Sequence, residues 1–165
     1  MSETMINPQQ EENDDVLQRF FSRGGSLRML TDIDDQDLVQ LYSYAGQLFA
    51  AGEFVASRNF YQLLSTFDHW NYDYLLGLGL SHQRLSAHEE AISCFARAGM
   101  ITIDDPRAAF FAGLSYRLVG NEAYARKAFN AAIMWCGEQS HYQEIKGNAE
   151  RMLTATTEEV SCTLV

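Results

Sequence analysis

The sequence predicts an all-α fold in which three helical hairpins follow one another in tandem. Three observations predict it. Three consecutive blocks of equal length, which begin at Leu38, Tyr72 and Pro106, align without a gap. Small and aromatic residues recur at fixed places in each block, and a Gly or Ser recurs near its middle, where a turn is needed. Self-similarity at a fixed period indicates a stack of repeats, each of which buries its apolar face against its neighbours.

Within each block, the residue classes are those of two antiparallel helices that pack closely. Small side chains let the helix backbones approach, and they occupy position eight (Ala45, Gly79, Gly113) and position twenty (Ser57, Ala91, Ala125). An aromatic residue at position 24 would fill the space beside them: Tyr61, Phe95 or Phe129. Position fifteen is Gly52, Ser86 or Gly120, which suits the end of the first helix. We therefore assign a structural role to Ala45, Gly79, Gly113, Ala91 and Ala125.

This pattern resembles the tetratricopeptide repeat (TPR), a helix-turn-helix unit of about 34 residues, over residues 38–136. The resemblance implies repeats at 38–71, 72–105 and 106–136. The sequence departs from the usual pattern at position four, where Trp is common and this chain has Leu41, Leu75 or Ala109.

The segment before the repeats, residues 16–37, predicts a short amphipathic helix that carries Val16, Leu17, Phe20 and Phe21. Gly24 and Gly25 would end this helix, and Ser26 could cap the next turn. Two phenylalanines on so short a helix exceed what a cap requires. We therefore expect these four apolar residues to mediate dimerisation.

The segment after the repeats predicts a capping helix within residues 137–154, because Tyr142, Ile145, Ala149 and Met152 share one helical face. A stack of repeats has exposed apolar ends, and such a helix would cover one of them. Residues 155–165 are predicted to be a flexible tail.

Charge and composition exclude several classes of function. The chain has 12 Lys and Arg against 22 Asp and Glu, a net charge of −10, which disfavours nucleic acid as a partner. Residues 1–15 hold five of the acids and no base, and they predict a disordered acidic tail. No signal peptide and no membrane span is predicted, and the three widely spaced cysteines fit a reducing compartment. The expected location is the cytoplasm.

Three motifs that could indicate chemistry are better explained by structure. Gly77-Leu-Gly79 falls within a predicted helix, so it indicates helix packing and not a nucleotide site. The acids of Asp32-Ile-Asp34-Asp35-Gln-Asp37 are expected to cap the first repeat helix, because the turn Gly and the bidentate Glu of a calcium loop are missing. Ser81 and His82 are neighbours on a predicted helix, so their side chains point to different faces, which disfavours a nucleophile and its base. We predict no catalytic residue, no cofactor and no metal site, and therefore no enzyme.

In TPR arrays the first helix of each repeat lines a concave groove, and the resemblance implies which side chains face it here. The apolar and aromatic ones are Tyr42, Phe49, Leu76, Leu80 and Phe110; the polar ones are Gln83, Arg84 and Arg117. We expect pockets for apolar side chains of an extended peptide, with the polar groups bonding its backbone carbonyls. Leu76 could equally pack between repeats.

A narrower resemblance follows from Phe20-Phe21-Ser-Arg-Gly-Gly-Ser-Leu27, from Asp68-His69-Trp70 and from Leu76-Gly-Leu-Gly79. These segments resemble the class II chaperones of bacterial type III secretion systems, the SycD/LcrH/IpgC group, and especially its SscA-like branch. The resemblance spans residues 16–153. It implies a homodimer in the cytoplasm of a Gram-negative bacterium that holds hydrophobic translocator proteins by a Pro-x-Leu-x-x-Pro-like segment.

The sequence therefore predicts a secretion chaperone that binds a peptide segment and carries out no reaction. The alternative is a TPR adaptor that joins folded components of a regulatory or assembly complex. A partner that is hydrophobic and unstable by itself would favour the chaperone, and a partner that is soluble by itself would favour the adaptor.

Overall fold

The computed structural model describes residues 16–155, and every regular element in that range is helical. Residues 16–22 form helix α1. The longer helices are α2 (Asp35–Ala50), α3 (Phe54–Phe67), α4 (Tyr72–Arg84), α5 (His88–Ile101), α6 (Pro106–Leu118), α7 (Glu122–Cys136) and α8 (Gln143–Thr154). Short 3-10 turns occupy Leu27–Leu30 and Ser140–Tyr142. The predicted acidic tail and all but the first residue of the predicted C-terminal tail lie outside the described residues.

Three helix pairs, α2/α3, α4/α5 and α6/α7, form the three predicted TPR units, and each helix packs against the next along the chain. Helix α8 covers the end of the stack. Its Ala149 is fully buried, and Ile145 and Met152 pack on the core formed by α6 and α7. The predicted all-α fold, with an N-terminal helix, three repeats and a C-terminal capping helix, is confirmed.

Side-chain caps set where the helices begin. Asp34 accepts a hydrogen bond from the Gln36 N–H, and Asp105 accepts one from the Arg107 N–H directly before Pro106. The expectation that acids cap the first repeat helix is confirmed, although α2 starts at Asp35, ahead of the first block. The expectation for Ser26 is wrong, because its side chain makes no capping hydrogen bond and the following turn is a single 3-10 turn.

The turn inside each repeat uses a left-handed backbone at position fifteen. The φ angles are +81° at Gly52, +60° at Ser86 and +79° at Gly120. This conformation is accessible to glycine without a steric penalty, whereas a residue with a Cβ is strained there. Ser86 is the one described residue other than glycine with a positive φ.

Close helix contact inside each repeat depends on the small residue at position eight. A Cβ atom placed on Gly79 would lie 2.5 Å from the Phe95 ring, and one on Gly113 would lie 2.6 Å from the Phe129 ring. Both rings are almost fully buried. The predicted pairing of a small residue with the aromatic at position 24 is therefore the packing that closes the second and third repeats.

The N-terminal segment is attached to the first repeat by a few polar contacts. The Trp70 indole N–H donates a hydrogen bond of 2.9 Å to the Gly24 carbonyl oxygen. Arg28 forms ion pairs with Asp35 and, at 3.6 Å, with Asp68. These contacts hold the segment after α1 against the start of α2 and the turn between α3 and α4. Across residues 16–155, none of the helices is both long and apolar enough to span a bilayer.

Candidate peptide-binding groove

The first helices of the three repeats, α2, α4 and α6, lie side by side and form one continuous surface. Three tyrosines form a cluster around Tyr42, which lies midway along α2. The Tyr42 ring centroid lies 5.9 Å from that of Tyr61, edge to face, and 5.7 Å from that of Tyr74. Tyr42 is 38% exposed, whereas Tyr61 and Tyr74 are buried beneath it. The cluster presents one accessible aromatic face with two supporting rings.

The electrostatics of this cluster keep the tyrosine hydroxyls neutral. Burial raises the pKa of Tyr61 to about 12, and burial together with the charge of Asp73 raises the pKa of Tyr42. Both hydroxyls therefore stay protonated at neutral pH and can donate hydrogen bonds. A Cβ on Gly46 would lie 3.7 Å from the Tyr61 hydroxyl oxygen, an ordinary van der Waals contact.

An ion-pair network borders the tyrosine cluster. Arg107 bonds Asp105 at 2.7 Å and Asp73 at 3.4 Å, and its guanidinium lies 5.1 Å from the centre of the Tyr72 ring. Burial alone would raise the pKa of Asp105, but hydrogen bonds from Arg107 outweigh it and lower that pKa. The network fixes the start of α6 against α4 and leaves Asp73, which is exposed, at the edge of the groove.

An open pocket lies at the end of the groove where α2 and α4 end. Its volume is about 370 Å³, and it is lined by Phe49, Phe54, Arg84 and the turn at residues 50–52. The Phe49 and Phe54 ring centroids are 5.2 Å apart, and the Arg84 guanidinium lies 4.7 Å from the centre of the Phe54 ring. This arrangement offers an apolar wall beside one exposed cation.

The other predicted groove residues lie deeper in the fold. Leu76 and Phe110 are 6% and 7% exposed and belong to the core between the repeats, and Leu80 is half-buried. Gln83 donates hydrogen bonds to the Phe111 carbonyl oxygen at 3.0 Å and to the Ser115 hydroxyl at 2.7 Å. The middle of the groove is therefore a floor that joins repeats, with little apolar surface open to a ligand.

Arg117, predicted to bond a bound peptide, is engaged inside the fold instead. Its side chain is 3% exposed and forms an ion pair of 2.7 Å with Glu122. It also donates a hydrogen bond of 2.6 Å to the Met152 carbonyl oxygen. These contacts tie α6 to α7 and α8, because the capping helix covers the groove position that Arg117 would occupy in an open array.

The sequence prediction missed Tyr61, Tyr74 and Phe54. The repeat pattern assigns Tyr61 to position 24, a place that phenylalanine holds in the other two repeats. The hydroxyl group of Tyr61 was the available signal. A tyrosine at a position that is otherwise apolar indicates that the outer end of the ring reaches a polar environment. Phe54 follows a turn glycine, and nothing in the sequence places it next to Arg84.

The predicted dimerisation residues lie on α1. Val16, Leu17 and Phe21 are 55%, 44% and 43% exposed. Phe20 is half-buried and stands edge to face with Phe21, at a centroid distance of 5.3 Å. A Cβ on Gly25 would lie 2.4 Å from the Phe20 ring, so the glycine allows this ring to fold back on the chain.

No protein-family model matches the sequence. Low calcium response locus protein H of Yersinia pestis is 27% identical over 140 residues, which cover 85% of this chain and 83% of that protein. Chaperone protein SicA of Salmonella typhimurium is 25% identical over 159 residues, 94% of each chain. The translocator chaperone SycD of Yersinia enterocolitica superposes with a TM-score of 0.76 at 26% identity, over 80% of this chain and 98% of its own. This chain is a relative of the class II type III secretion chaperones.

Two further structures support the relationship to the class II chaperones. A type III secretion complex from Aeromonas hydrophila contains a chain that superposes with a TM-score of 0.82 at 26% identity, covering 90% of this chain and 99% of that one. PcrH, solved in complex with the chaperone binding region of PopD, gives a TM-score of 0.75 at 27% identity, over 79% of this chain and 98% of its own. The class II chaperones carry out no chemical reaction, so these relatives belong to a non-enzymatic class.

Proposed function

We propose that this protein is a type III secretion chaperone that holds an extended, apolar segment of a hydrophobic translocator in the groove lined by α2, α4 and α6. It would act in the cytoplasm of a Gram-negative bacterium and without catalysis. The relatives support the class of partner, because SycD and PcrH have been solved with peptides or binding regions of the translocators YopD and PopD.

The observation that carries the proposal is the exposed aromatic face of Tyr42 together with the pocket at Phe49. These residues are seven apart on α2 and so share one face about 10 Å apart, given a rise of about 1.5 Å per residue. A peptide in the polyproline II conformation advances about 3.1 Å per residue with three residues per turn, so side chains three residues apart lie on one face and reach both sites. In a Pro-x-Leu-x-x-Pro segment, the Leu and the second Pro have this spacing.

Co-expression tests the proposed function directly. We expect the hydrophobic protein encoded beside this chain to accumulate in soluble form only when the two are produced together, and to co-purify with it. A protein of similar size from an unrelated operon serves as the control. If the neighbouring partner is equally soluble alone, the adaptor hypothesis replaces the chaperone.

We further propose that the free chaperone is a homodimer that associates through α1. The support is the exposed apolar surface of Val16, Leu17 and Phe21 on α1. Exposed patches of this kind in a small protein are typical of association sites.

Deleting residues 1–30, or replacing Leu17 and Phe21 with Glu, should shift the protein from dimer to monomer in sedimentation experiments, because a charge cannot be buried unpaired in an apolar interface. The two point changes keep the contacts of Trp70 and Arg28 intact, so they separate lost association from lost folding. Val119→Glu, at a residue that is equally exposed but on the turn of the third repeat, should remain dimeric. A dimer that survives both changes would place the interface elsewhere.

A further inference from the structure

Helix α8 ends at the same edge of the groove as the pocket at Phe49. The Met152 carbonyl oxygen, in the last turn of α8, accepts a hydrogen bond of 2.6 Å from Arg117. Arg117 lies one residue before the end of α6. Because α2, α4 and α6 are the first helices of successive repeats, their ends follow one another along this edge. The chain therefore leaves α8 at the edge that carries the pocket.

The rest of the chain is long enough to reach that pocket. Residues 156–165, called here the C-terminal segment, follow the last described residue, Ala155. Packed helices lie about 8–10 Å apart, so Arg84 on α4 is about 20 Å from α8, two helix spacings away. A segment of this length spans at most about 33 Å, at about 3.3 Å per residue. It can therefore cross the end of α6 and enter the pocket.

Arg84 is the cation that this end of the groove presents to a ligand. Gln83 and Arg117, the other two polar groove residues, are engaged inside the fold. Arg84 is exposed, stacks on the Phe54 ring and forms no ion pair with any residue of the described range 16–155. The rings of Phe49 and Phe54 line the pocket beside it. A ligand that joins a carboxylate to aliphatic side chains matches this site.

The C-terminal segment has this chemistry in the required order. Glu158 and Glu159 come first, Val160 follows directly, and Leu164 lies four residues further. The segment contains no Lys or Arg that would repel Arg84. A chain that crosses from α6 meets Arg84 on α4 before it meets Phe49 on α2. The acids therefore reach the cation first, and the aliphatic side chains reach the pocket after it.

We propose that the C-terminal segment occupies this end of the groove when no translocator is bound. Glu159 pairs with Arg84, and Val160 and Leu164 fill the pocket at Phe49. The inference rests on the proposed function, because the same pocket receives the translocator segment. The two segments exclude each other, so the chain covers its own apolar surface and admits a translocator segment that displaces the cover.

Affinity for a translocator peptide tests the competition. The probe is a synthetic peptide with a Pro-x-Leu-x-x-Pro sequence, titrated into the full chain by calorimetry. Val160→Ser/Leu164→Ser should bind it about threefold or more tightly than the wild type, because a tethered competitor acts at an effective concentration of about 1 mM. Ser161→Ala/Thr163→Ala, in the same segment, is the control and should bind like the wild type. Equal affinities of the wild type and the serine variant would overturn the inference.

A dye on Cys162 reports the C-terminal segment itself and needs no translocator. The other two cysteines, Cys94 and Cys136, are buried. Burial raises the pKa of both thiols, that of Cys94 to about 11, which keeps them unreactive toward a thiol-directed dye. We expect the fluorescence anisotropy of the dye to fall when the translocator peptide is added, because the segment is released from the groove.

Variants of the pocket complete the test. Phe49→Ala/Arg84→Gln should lower the anisotropy of the dye without any peptide, whereas Arg97→Gln, at an exposed arginine of α5, should leave it unchanged. Equal anisotropy in the wild type and the pocket variant would overturn the inference. A signal that rises with protein concentration would also overturn it, because a second copy would then supply the segment.

Failure of this inference and failure of the proposed function give different results. If the wild type binds the translocator peptide and the serine variant binds it equally, the chaperone function stands and the self-occupied groove is wrong. If neither binds the peptide, the proposed function is wrong. The dye on Cys162 then still decides whether the C-terminal segment occupies the pocket at Phe49.

Discussion

Gly79→Leu is expected to destabilise the protein by about 3 kcal/mol or more, because overpacking a close helix contact forces both backbone and side chains to move. Even the first atom of the new side chain would lie 2.5 Å from the ring of Phe95, which is 1% exposed. Thermal and urea denaturation followed by circular dichroism would measure the loss. Gly79→Ala should show a smaller loss of the same sign.

Gly147→Ala in α8 is the matched control for Gly79→Ala. Both changes replace a helical glycine with alanine, which by itself favours the helix by roughly 0.5–1 kcal/mol. A Cβ on Gly147 meets no atom within 4 Å. We therefore expect Gly147→Ala to keep or raise the melting temperature. Equal melting temperatures for the two alanine variants would mean that the glycine-aromatic contact does not close the repeat.

Tyr42→Ala/Phe49→Ala is expected to abolish co-purification of the translocator while the chaperone stays folded. Each truncation removes one aromatic ring that the groove presents to the peptide. An anchoring aromatic contact of this kind contributes about 2 kcal/mol or more to the binding free energy. Two such losses together weaken binding by roughly a thousandfold, since about 1.4 kcal/mol corresponds to a factor of ten. Affinity measured by calorimetry with a translocator peptide would give the number.

The control for this double variant is Tyr44→Ala. Tyr44 is on the same helix and 47% exposed, but it lies edge to face against Phe60 and points away from the groove. The Tyr44→Ala variant should bind the peptide like the wild type.

Binding of the peptide to the wild-type protein should also change little between low and moderate salt, because apolar contacts are screened far less than ion pairs. A folded double variant that retains full affinity would move the translocator site off the groove.

The sequence predicted the repeats well because their signals are local and steric. A small residue opposite an aromatic at a fixed separation, as in Gly79 with Phe95, requires only that two neighbouring helices touch. Helical periodicity placed Ala149 on the apolar face of the capping helix, and the structure buries it fully. The two residues of such a pair are close in sequence, and the constant period of the blocks places an equivalent pair in each repeat.

The groove residues were predicted less completely, because the position of a residue in its repeat does not show which other helix packs over it. The position of Arg117 in its repeat predicts a side chain that faces the groove. Helix α8 covers this position, and the Arg117 guanidinium group bonds Glu122 and the Met152 carbonyl oxygen. The position of Tyr61 in its repeat predicts a side chain that faces the core, yet its ring packs against the accessible ring of Tyr42. Both outcomes depend on contacts with a different helix, which periodicity along one helix does not contain.

The hydrogen bond between Trp70 and Gly24 gives the molecule an optical signal for its N-terminal segment. Indole emission shifts with the polarity around the ring, and the Trp70 ring packs on Gly24 while remaining 54% exposed. The chain has two tryptophans, and the other, Trp135 on α7, lines a cavity together with residues of α5 and α6. With Trp135 replaced by Phe, the remaining emission separates release of α1 from unfolding of the repeats, which circular dichroism follows independently.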